Sequence, residues 1–198
     1  MKTRVGILAL QGDFEAHAKA LERAGAEPVL VRTAEQLESV DGLVIPGGES
    51  TTMLKLLNFM DLKEPLRKFA SEKPVFGTCA GAILLAKEVQ NPSQESFGVI
   101  DLTVERNAYG RQMESRVANI HPNADFQQRT GAGDVEAVFI RAPIIRRAGP
   151  GVTVLAQYEG DPVLVEQGRH LVATFHPELT QDSRVHQLFL TKIHDTQA

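Results

Sequence analysis

The stretch that decides the fold is KPVFGTCAGAILLA, residues 73–86, in which a turn of small residues joins two apolar runs. The first run predicts a buried β-strand, and the second predicts a helix over 80–89. Cys79, the only cysteine of the chain, lies in the turn between Gly77 and Gly81. Two interpretations are open, since a free cysteine either fills the core as a small apolar residue or acts as a nucleophile.

The first half of the chain alternates short apolar runs with segments of helical periodicity. Such alternation predicts a parallel sheet with helices on both of its faces. Strands are predicted over 4–10, 28–32, 42–46 and 74–77, and helices over 14–25, 35–39, 50–60 and 62–72.

The second half contains strand-like runs in close succession, which favours antiparallel or mixed additions to the sheet. These runs cover 99–107, 114–120, 135–143, 152–159, 161–168 and 170–178, and a helix over 183–193 closes the chain. The polar segments 91–98 and 123–134 are expected to be surface loops, the second of them mobile. We therefore predict a three-layer, doubly wound α/β fold with a mostly parallel, mixed sheet, as a single domain over residues 1–198.

Composition narrows the class of protein. The chain has 198 residues, of which 42% are hydrophobic and 23% charged, as in a globular domain with a real core. A net charge of −4 does not favour nucleic acid as a partner. The N-terminal apolar run ends at Gln11 and lacks the form of a signal peptide, and no run is long enough to span a membrane. With a single cysteine, these features predict a cytoplasmic protein that has no membrane partner.

The segment around Cys79 has the form G-x-C-x-G. In the serine version of this motif, the nucleophile lies on a tight strand-to-helix turn, and small flanking residues are required because the chain doubles back. The turn would place Cys79 at the carboxyl edge of the sheet and leave the backbone N–H of Ala80 free to bind an oxyanion. Core filling remains the alternative.

A thiol nucleophile needs a base, and the base needs a group that orients it. His176 ends an apolar run and is followed by Pro177 and Glu178. A residue before proline prefers an extended backbone, in which side chains two residues apart point to the same side, so Glu178 is expected beside the His176 ring. The alternative is a strand-end histidine with a surface glutamate. Three other histidines are expected on solvated helix faces: His17, His186 and His194.

The run PGGEST, residues 46–51, follows the third predicted strand at the same sheet edge. Gly47 and Gly48 allow close approach of a substrate and offer backbone N–H groups, and Gln11 follows the first strand nearby. The alternative is an ordinary loop in which Ser50 or Thr51 caps the next helix. A cysteine, a His-x-Glu pair and a glycine loop at one edge suit acyl transfer from an amide through a thioester.

These residues resemble the class I, triad-type glutamine amidotransferase family, along nearly the whole chain. The G-x-C-x-G and HPE runs indicate the class. The more specific stretches are similar to the glutaminase subunits of pyridoxal 5′-phosphate synthases. The matching stretches are GILALQGDFEAH, DGLVIPGGESTTM, PVFGTCAGAILLAKE, VERNAYGRQMES, VFIRAP and ATFHPELTQD.

The resemblance implies a role for each matching residue. Cys79 would be the nucleophile, His176 the base and Glu178 its orienter, with the backbone of Gly48 and Ala80 binding the oxyanion. It implies no metal and no cofactor. The implied glutamine-binding residues are Gly47, Gly48, Glu49, Arg106, Ile140 and Arg141. Without the family match, either arginine would be interpreted as a solvated charge at a strand end, and which group of glutamine each residue meets is open.

The implied reaction converts L-glutamine and water into L-glutamate and ammonia. The ammonia would pass to a (β/α)₈-barrel synthase subunit that makes pyridoxal 5′-phosphate. We expect the isolated chain to be weakly active or inactive, with docking of the barrel ordering the loop around Gly47 and Gly48 near Gln11.

Three alternatives stay open. An esterase of α/β-hydrolase type is disfavoured because its acid precedes its histidine in the chain, whereas Glu178 follows His176. A binding protein could keep Cys79 as packing or as a redox sensor. Within the family, the chain could serve another synthase, such as imidazole-glycerol-phosphate synthase, although GGESTTM and FIRAP weigh against this.

Overall fold

A computed structural model of the chain describes residues 2–108 and 115–198, and its centre is a seven-stranded sheet. The YGRQME part of the VERNAYGRQMES stretch, residues 109–114, therefore lies outside the described residues. The strands are β1 (Arg4–Leu8), β2 (Glu27–Val31), β3 (Gly42–Ile45), β4 (Val75–Thr78), β5 (Ala86–Gln90), β6 (Ile100–Glu105), β7 (Ser115–Ile120), β8 (Val135–Ile140), β9 (Ile144–Ala148), β10 (Thr153–Tyr158), β11 (Asp161–Gln167) and β12 (His170–Ala173). The helices are α1 (Phe14–Arg23), α2 (Ala34–Glu38), α3 (Ser50–Phe59), α4 (Lys63–Glu72), α5 (Ala80–Leu85), α6 (Ala124–Thr130) and α7 (Arg184–Gln197).

The central sheet has the order β10-β11-β12-β4-β3-β1-β2. The pairs from β12 to β2 are parallel, whereas β10 and β11 add antiparallel strands at one side. Because the chain leaves β1 toward β2 and later returns to the other side of β1 as β3, a topological switch point lies between β1 and β3. Ligands bind open α/β sheets outside the carboxyl ends of the strands at such a point.

Helices cover both faces of this sheet, because successive residues of its inner strands alternate between two separate apolar clusters. In β3, Leu43 and Ile45 belong to one cluster and Val44 to the other. The first cluster includes side chains of α2, α3, α4 and α5: Leu37, Met53, Leu66 and Leu84. The second includes side chains of α1, α6 and α7: Leu21, Phe126 and Phe189. The predicted three-layer α/β fold with a mixed sheet is confirmed.

The helix predicted over 80–89 is too long, because α5 ends at Leu85. Ala86 adopts an extended backbone, and the chain continues directly into β5. This strand pairs in parallel with β6, and β6 pairs antiparallel with β9 in a three-stranded sheet. An uninterrupted apolar run can belong to a buried helix or to a strand, so its periodicity did not mark the change.

The prediction of a surface loop over 123–134 is wrong for its first part, which forms α6. The Asn123 side chain caps this helix by accepting the Phe126 N–H at 2.9 Å, and the Phe126 ring is fully buried. One aromatic side chain thus anchors a short helix that has too few apolar residues to show a period. Beyond it, Arg184 donates hydrogen bonds to the carbonyl oxygens of residues 131–133. No helix within the described ranges is long and apolar enough to cross a membrane.

The close approach of α5 to β3 can be tested by adding a single methyl group. An added Cβ at Gly81 would collide with the carbonyl oxygen of Ile45, which belongs to the sheet backbone and cannot turn away. We expect Gly81→Ala to lower the free energy of unfolding by about 1–3 kcal/mol or more, as overpacking of a core does. Denaturant unfolding followed by circular dichroism measures this difference.

The control is Gly151→Ala, where the added Cβ meets only the end of the flexible Gln167 side chain, at 2.8 Å. This variant should stay within about 0.5 kcal/mol of the parent chain. Equal unfolding free energies for the two variants would contradict the packing described for α5.

Candidate active site

Cys79 occupies the turn between β4 and α5, and its backbone has a conformation that residues other than glycine rarely adopt. Its φ is 51° and its ψ is −106°, and its N–H donates to the Ala173 carbonyl of β12 at 3.0 Å. An added Cβ at Gly77 would lie 2.6 Å from the backbone of Gly81, so only small residues allow the turn to close. Such strain at a non-glycine residue is characteristic of functional positions. The thiol is thereby held at the carboxyl edge of the sheet.

His176 and Glu178 meet the thiol at this edge. The Nδ1 atom of His176 lies 2.6 Å from Oε1 of Glu178, and the nearby Cys79 also favours the charged form of the imidazole. The His176 N–H donates to the Val138 carbonyl of β8 at 2.8 Å, which fixes the backbone below the ring. Since Nδ1 faces the carboxylate, Nε2 is the ring nitrogen that Glu178 leaves free.

The contact between His176 and Glu178 forms, but not through the predicted extended backbone. Pro177–Leu179 is a 3₁₀ turn, which begins directly after His176. His176 itself is outside the helical region, with φ −108° and ψ 85°. The proline thus keeps His176 out of the helical region, as expected, but also opens the turn that brings the carboxylate back to Nδ1.

The charge state of His176 follows from its two partners. Burial by itself would lower the pKa of His176, but the hydrogen bonds and charges of Cys79 and Glu178 outweigh burial and raise this pKa to about 10. The imidazole is therefore protonated at neutral pH. An imidazolium beside a cysteine favours the thiolate, which is the nucleophilic form of the side chain.

The glycine loop after β3 packs directly on this arrangement. An added Cβ at Gly47 would lie 2.6 Å from Cε1 of His176 and 3.3 Å from Cβ of Cys79. Gly48 has a φ of +143°, and an added Cβ there would lie 2.6 Å from Oε1 of Gln11. The same Gln11 oxygen accepts the N–H of Glu49 at 2.8 Å. Gln11, beyond β1, thus holds the loop that lies over the imidazole.

Glu49 caps α3, so the expectation that Ser50 or Thr51 would do so is wrong. Its carboxylate accepts the N–H groups of Thr51 at 3.0 Å and Thr52 at 2.7 Å. Burial acts to raise the pKa of Glu49, but the hydrogen bonds from Thr52 and Thr51 outweigh it and lower the pKa to about 2. A negative charge is therefore fixed beside the glycine loop.

The other candidate binding residues lie around the same loop. Arg106 donates to the Thr51 hydroxyl at 2.8 Å and lies 3.3 Å from Oε1 of Glu49. The Ile140 carbonyl oxygen lies 3.8 Å from Sγ of Cys79. Arg141 follows with a φ of 44° and an exposed side chain. The structure thus brings a cation, an anion and backbone polar groups to the loop and the thiol.

Two histidines that the sequence analysis assigned to solvated helix faces are fully buried. His17 lies with Nε2 3.4 Å from Oε2 of Glu178, and its Nδ1 lies 3.0 Å from Nε2 of His186. His194 alone among the three is exposed. The signal was present, because His17 falls between Phe14 and Leu21 on the apolar face of its helix, and this spacing predicts burial.

The described residues contain no group of three or more His, Cys, Asp or Glu side chains arranged to hold a metal ion.

Comparison with known proteins identifies the family. Residues 7–195 match the model of the SNO glutamine amidotransferase family. The chain belongs to the glutamine amidotransferase family. A relative from Solibacter usitatus, named pyridoxal 5′-phosphate synthase subunit PdxT, is 66% identical over 190 residues, with 96% of this chain and 99% of the relative covered. The PdxT of Thermotoga maritima is 50% identical over 191 residues, with 96% and 99% covered.

Solved structures agree with this assignment. A crystal structure described as a glutamine amidotransferase has a TM-score of 0.86 and 48% identity, with 96% of this chain and 98% of that chain covered. A protein from Thermoplasma acidophilum, described as one subunit of a GMP synthase, has a TM-score of 0.71 at 16% identity, with 100% of this chain and 96% of that chain covered. This second likeness concerns the fold alone. The resemblance to glutamine amidotransferases that the sequence motifs predicted is confirmed.

The protonation of His176 gives a direct test of the site in this amidotransferase. We expect its imidazole to titrate near pH 10 in the parent chain and at lower pH in Cys79→Ala, because the substitution removes one of the two partners that favour the charged form while burial remains. Nitrogen chemical shifts of labelled histidine, followed by NMR against pH, measure this change.

His170 is the internal control, because burial lowers its pKa to about 4 and it lies at the start of β12, away from Cys79. Its titration should be the same in both proteins. An imidazole at position 176 that titrates near 6.5 in the parent chain would contradict the charge state described here.

Proposed function

We propose that this chain is the glutaminase subunit of a pyridoxal 5′-phosphate synthase, with Cys79, His176 and Glu178 as its catalytic residues. The observation that carries the proposal is the meeting of the three side chains beside Gly47, in a member of the glutamine amidotransferase family. The relatives named as subunits of pyridoxal 5′-phosphate synthase, at 66% and 50% identity, favour that synthase over another.

The first half of the reaction uses the proton held on His176. The Cys79 thiolate attacks the side-chain amide carbon of glutamine, and a carbon–sulfur bond forms as the carbonyl oxygen becomes an oxyanion. The carbon–nitrogen bond then breaks while the imidazolium gives its proton to the leaving nitrogen. Ammonia departs, and a thioester and a neutral imidazole remain.

The second half restores the starting state. The neutral His176 takes a proton from water as the oxygen attacks the thioester carbon, and the carbon–sulfur bond breaks. The product leaves with a side-chain carboxyl group that gives its proton to water to become glutamate, and the thiolate and imidazolium form again. Throughout, Glu178 accepts the Nδ1–H and holds the ring in one orientation, as the acid of a serine protease triad does for its histidine.

The oxyanion would be bound by two backbone N–H groups. One belongs to Ala80, the residue after the nucleophile, as in other elbow-type hydrolases. The other belongs to Gly48, whose loop is held by the hydrogen bond from the Glu49 N–H to Gln11. Because this oxyanion exists only during the reaction, donors placed for it lower the barrier rather than only binding substrate.

Free glutamine carries a carboxylate and an ammonium group that the site must recognise. Arg106 supplies the cation, since Thr51 and Glu49 hold its guanidinium in place and only 13% of its side chain is exposed. The ionised Glu49 and backbone carbonyl groups supply acceptors for the ammonium. The Ile140–Arg141 backbone, next to Sγ, would contact the side-chain end of the substrate.

The partner would be a (β/α)₈-barrel synthase subunit that consumes the ammonia. Gln11 would contact this partner, because it is half-buried at the carboxyl edge and holds the glycine loop. Docking at this point would adjust the loop and thereby the oxyanion site. A closed path between the subunits would keep the ammonia from being protonated in water.

The function is tested by measuring glutamate released from glutamine, with and without the barrel subunit. We expect the parent chain to be weakly active or inactive alone and active in the complex, and Cys79→Ala and His176→Asn to lose activity in both conditions. The same chain should not hydrolyse simple esters. Equal rates with and without the barrel subunit would contradict activation by docking, and no turnover in the complex would contradict the proposed function.

Substrate recognition is tested separately with Arg106→Gln. Loss of a charge-assisted hydrogen bond should raise the KM for glutamine about 10-fold or more and change kcat much less, as expected for uniform binding. Steady-state kinetics of the complex measure both values. Arg4→Gln is a matched control, because Arg4 pairs with Glu27 at the opposite edge of the sheet. An unchanged KM in Arg106→Gln would contradict this role.

A further inference from the structure

A chain of buried side chains continues beyond Glu178 into the core. Both carboxylate oxygens of Glu178 face a histidine, since Oε1 meets Nδ1 of His176 at 2.6 Å and Oε2 lies 3.4 Å from Nε2 of His17. His186 lies behind His17, with its Nε2 3.0 Å from Nδ1 of His17. Only 1% of the Glu178 side chain is exposed, and the two histidines are fully buried. The reaction proposed above gives neither His17 nor His186 a role.

Both of these histidines are neutral. Burial is the main cause that lowers the pKa of His17 well below its usual value, and the nearby His186 and His176 add to the effect. Burial likewise lowers the pKa of His186 to about 3, with a smaller contribution from Arg23. Each ring therefore carries a single N–H, and the positions of these two protons decide what Glu178 faces.

Only one placement of the two protons satisfies the buried N–H groups. If His186 carries its proton on Nε2, it donates to Nδ1 of His17, and His17 carries its own proton on Nε2, toward Glu178. The nitrogen left without a partner is then the bare Nδ1 of His186, and this atom indeed has no hydrogen-bond partner among the described residues. A buried acceptor without a partner is less rare than a buried donor without one.

The opposite placement fails at both ends. A proton on Nδ1 of His17 would leave a buried N–H on His186 without an acceptor, and it would turn a lone pair of His17 toward the carboxylate. Oε2 of Glu178 has no hydrogen-bond partner among the described residues, and Nε2 of His17 lies 3.4 Å from it, so a lone pair on this nitrogen would leave half of a buried anion unsupported. The Thr78 hydroxyl, 3.2 Å from Nε2 of His17, is the hydrogen-bond partner of this nitrogen in the structure and can accept its N–H.

We propose that His17 is a positioning residue of the active site, which directs its Nε2–H at Oε2 of Glu178 and is itself fixed in this tautomer by His186. The proposal rests on the glutaminase function proposed above. His17 does not touch the substrate. It keeps the carboxylate turned so that Oε1 stays on Nδ1 of His176. The 3.4 Å separation is long for a hydrogen bond, and catalytic hydrogen bonds tighten when a site is engaged by its substrate.

Other charged groups near Glu178 are at the surface. A cleft of about 250 Å³ along its turn is lined by Asp13, which caps α1, and by Glu15, Lys19 and Arg23 of α1, and the charged residue of β8, Glu136, is exposed. These groups are in contact with water, which screens their charges. The titratable side chains that face the carboxylate within the core are His176 and His17.

The test uses His17→Phe and His17→Gln in the full chain with the barrel subunit. Phenylalanine fills the space but offers no N–H, so we expect kcat to fall about 10- to 100-fold, the range for losing a hydrogen bond to a charged group, while KM changes less than about 3-fold. A carboxylate that is held less firmly stabilises the imidazolium of His176 less, and the imidazolium is what favours the thiolate, so the acid limb of the pH–rate profile should move to higher pH. The side chain in His17→Gln offers an amide N–H, so this variant should recover most of the lost kcat and most of the shift of the acid limb.

His186→Phe tests the second histidine and covers the case in which His17→Phe does not fold. It removes the proton that fixes the tautomer of His17. The fall in kcat and the shift of the acid limb should therefore have the same direction as in His17→Phe but be smaller. His170→Phe is the matched control, because His170 is also a buried neutral histidine but lies at the start of β12. The acid limb of the pH–rate profile of His170→Phe should lie at the same pH as in the parent chain.

A second measurement separates this proposal from the proposed function. The rate of Cys79 alkylation by iodoacetamide against pH, in the chain alone, reports the thiol without any glutamine turnover. Its acid limb should also move to higher pH in His17→Phe. If the parent complex does not hydrolyse glutamine, the proposed function fails while this measurement still decides on His17. An unmoved acid limb in folded His17→Phe, or the same shift in His170→Phe, would overturn the positioning role.

Discussion

The contact on which the site depends is the approach of Gly81 to the carbonyl oxygen of Ile45. It allows α5 to begin directly beyond β4, against the end of β3, without a side chain between the two backbones. Cys79 then takes its strained conformation in the turn, and the loop after β3 passes close enough for Gly47 to lie on the His176 ring. The thiol, the imidazole and the glycine loop are adjacent because two backbones touch.

Burial gives this arrangement its chemistry. An isolated ion in a protein interior is expensive, and a buried ion pair is tolerated only where every charged atom is supported. Here Cys79 and Glu178 stabilise the imidazolium of His176, while the second carboxylate oxygen of Glu178 has only the neutral His17 near it, at 3.4 Å. In the proposed reaction, the proton that releases ammonia would thus be held on His176 before the substrate arrives, and the surroundings would need little rearrangement.

Much of the fold and the convergence of Cys79, His176 and Glu178 could be predicted from the sequence, because strand ends and turn residues are local signals. The backbone at Glu178 could not, since Pro177 both favours an extended neighbour and begins a 3₁₀ turn. The only sequence signal for the burial of His17 was its position on the apolar face of its helix. This signal was weak, because a histidine at such a position can also be exposed to solvent. The raised pKa of His176 depends on distances between segments far apart in the chain, and no local pattern records them.

The alternation of Leu43, Val44 and Ile45 between two clusters has a consequence for how this chain can change over generations. The sheet backbone separates the clusters, so substitutions on one face should combine additively with those on the other, as they do for distant sites without shared partners. Each of the two clusters can therefore accumulate substitutions independently of the other. The loops at the carboxyl edge have no such freedom, because residues from both sides of the sheet meet there.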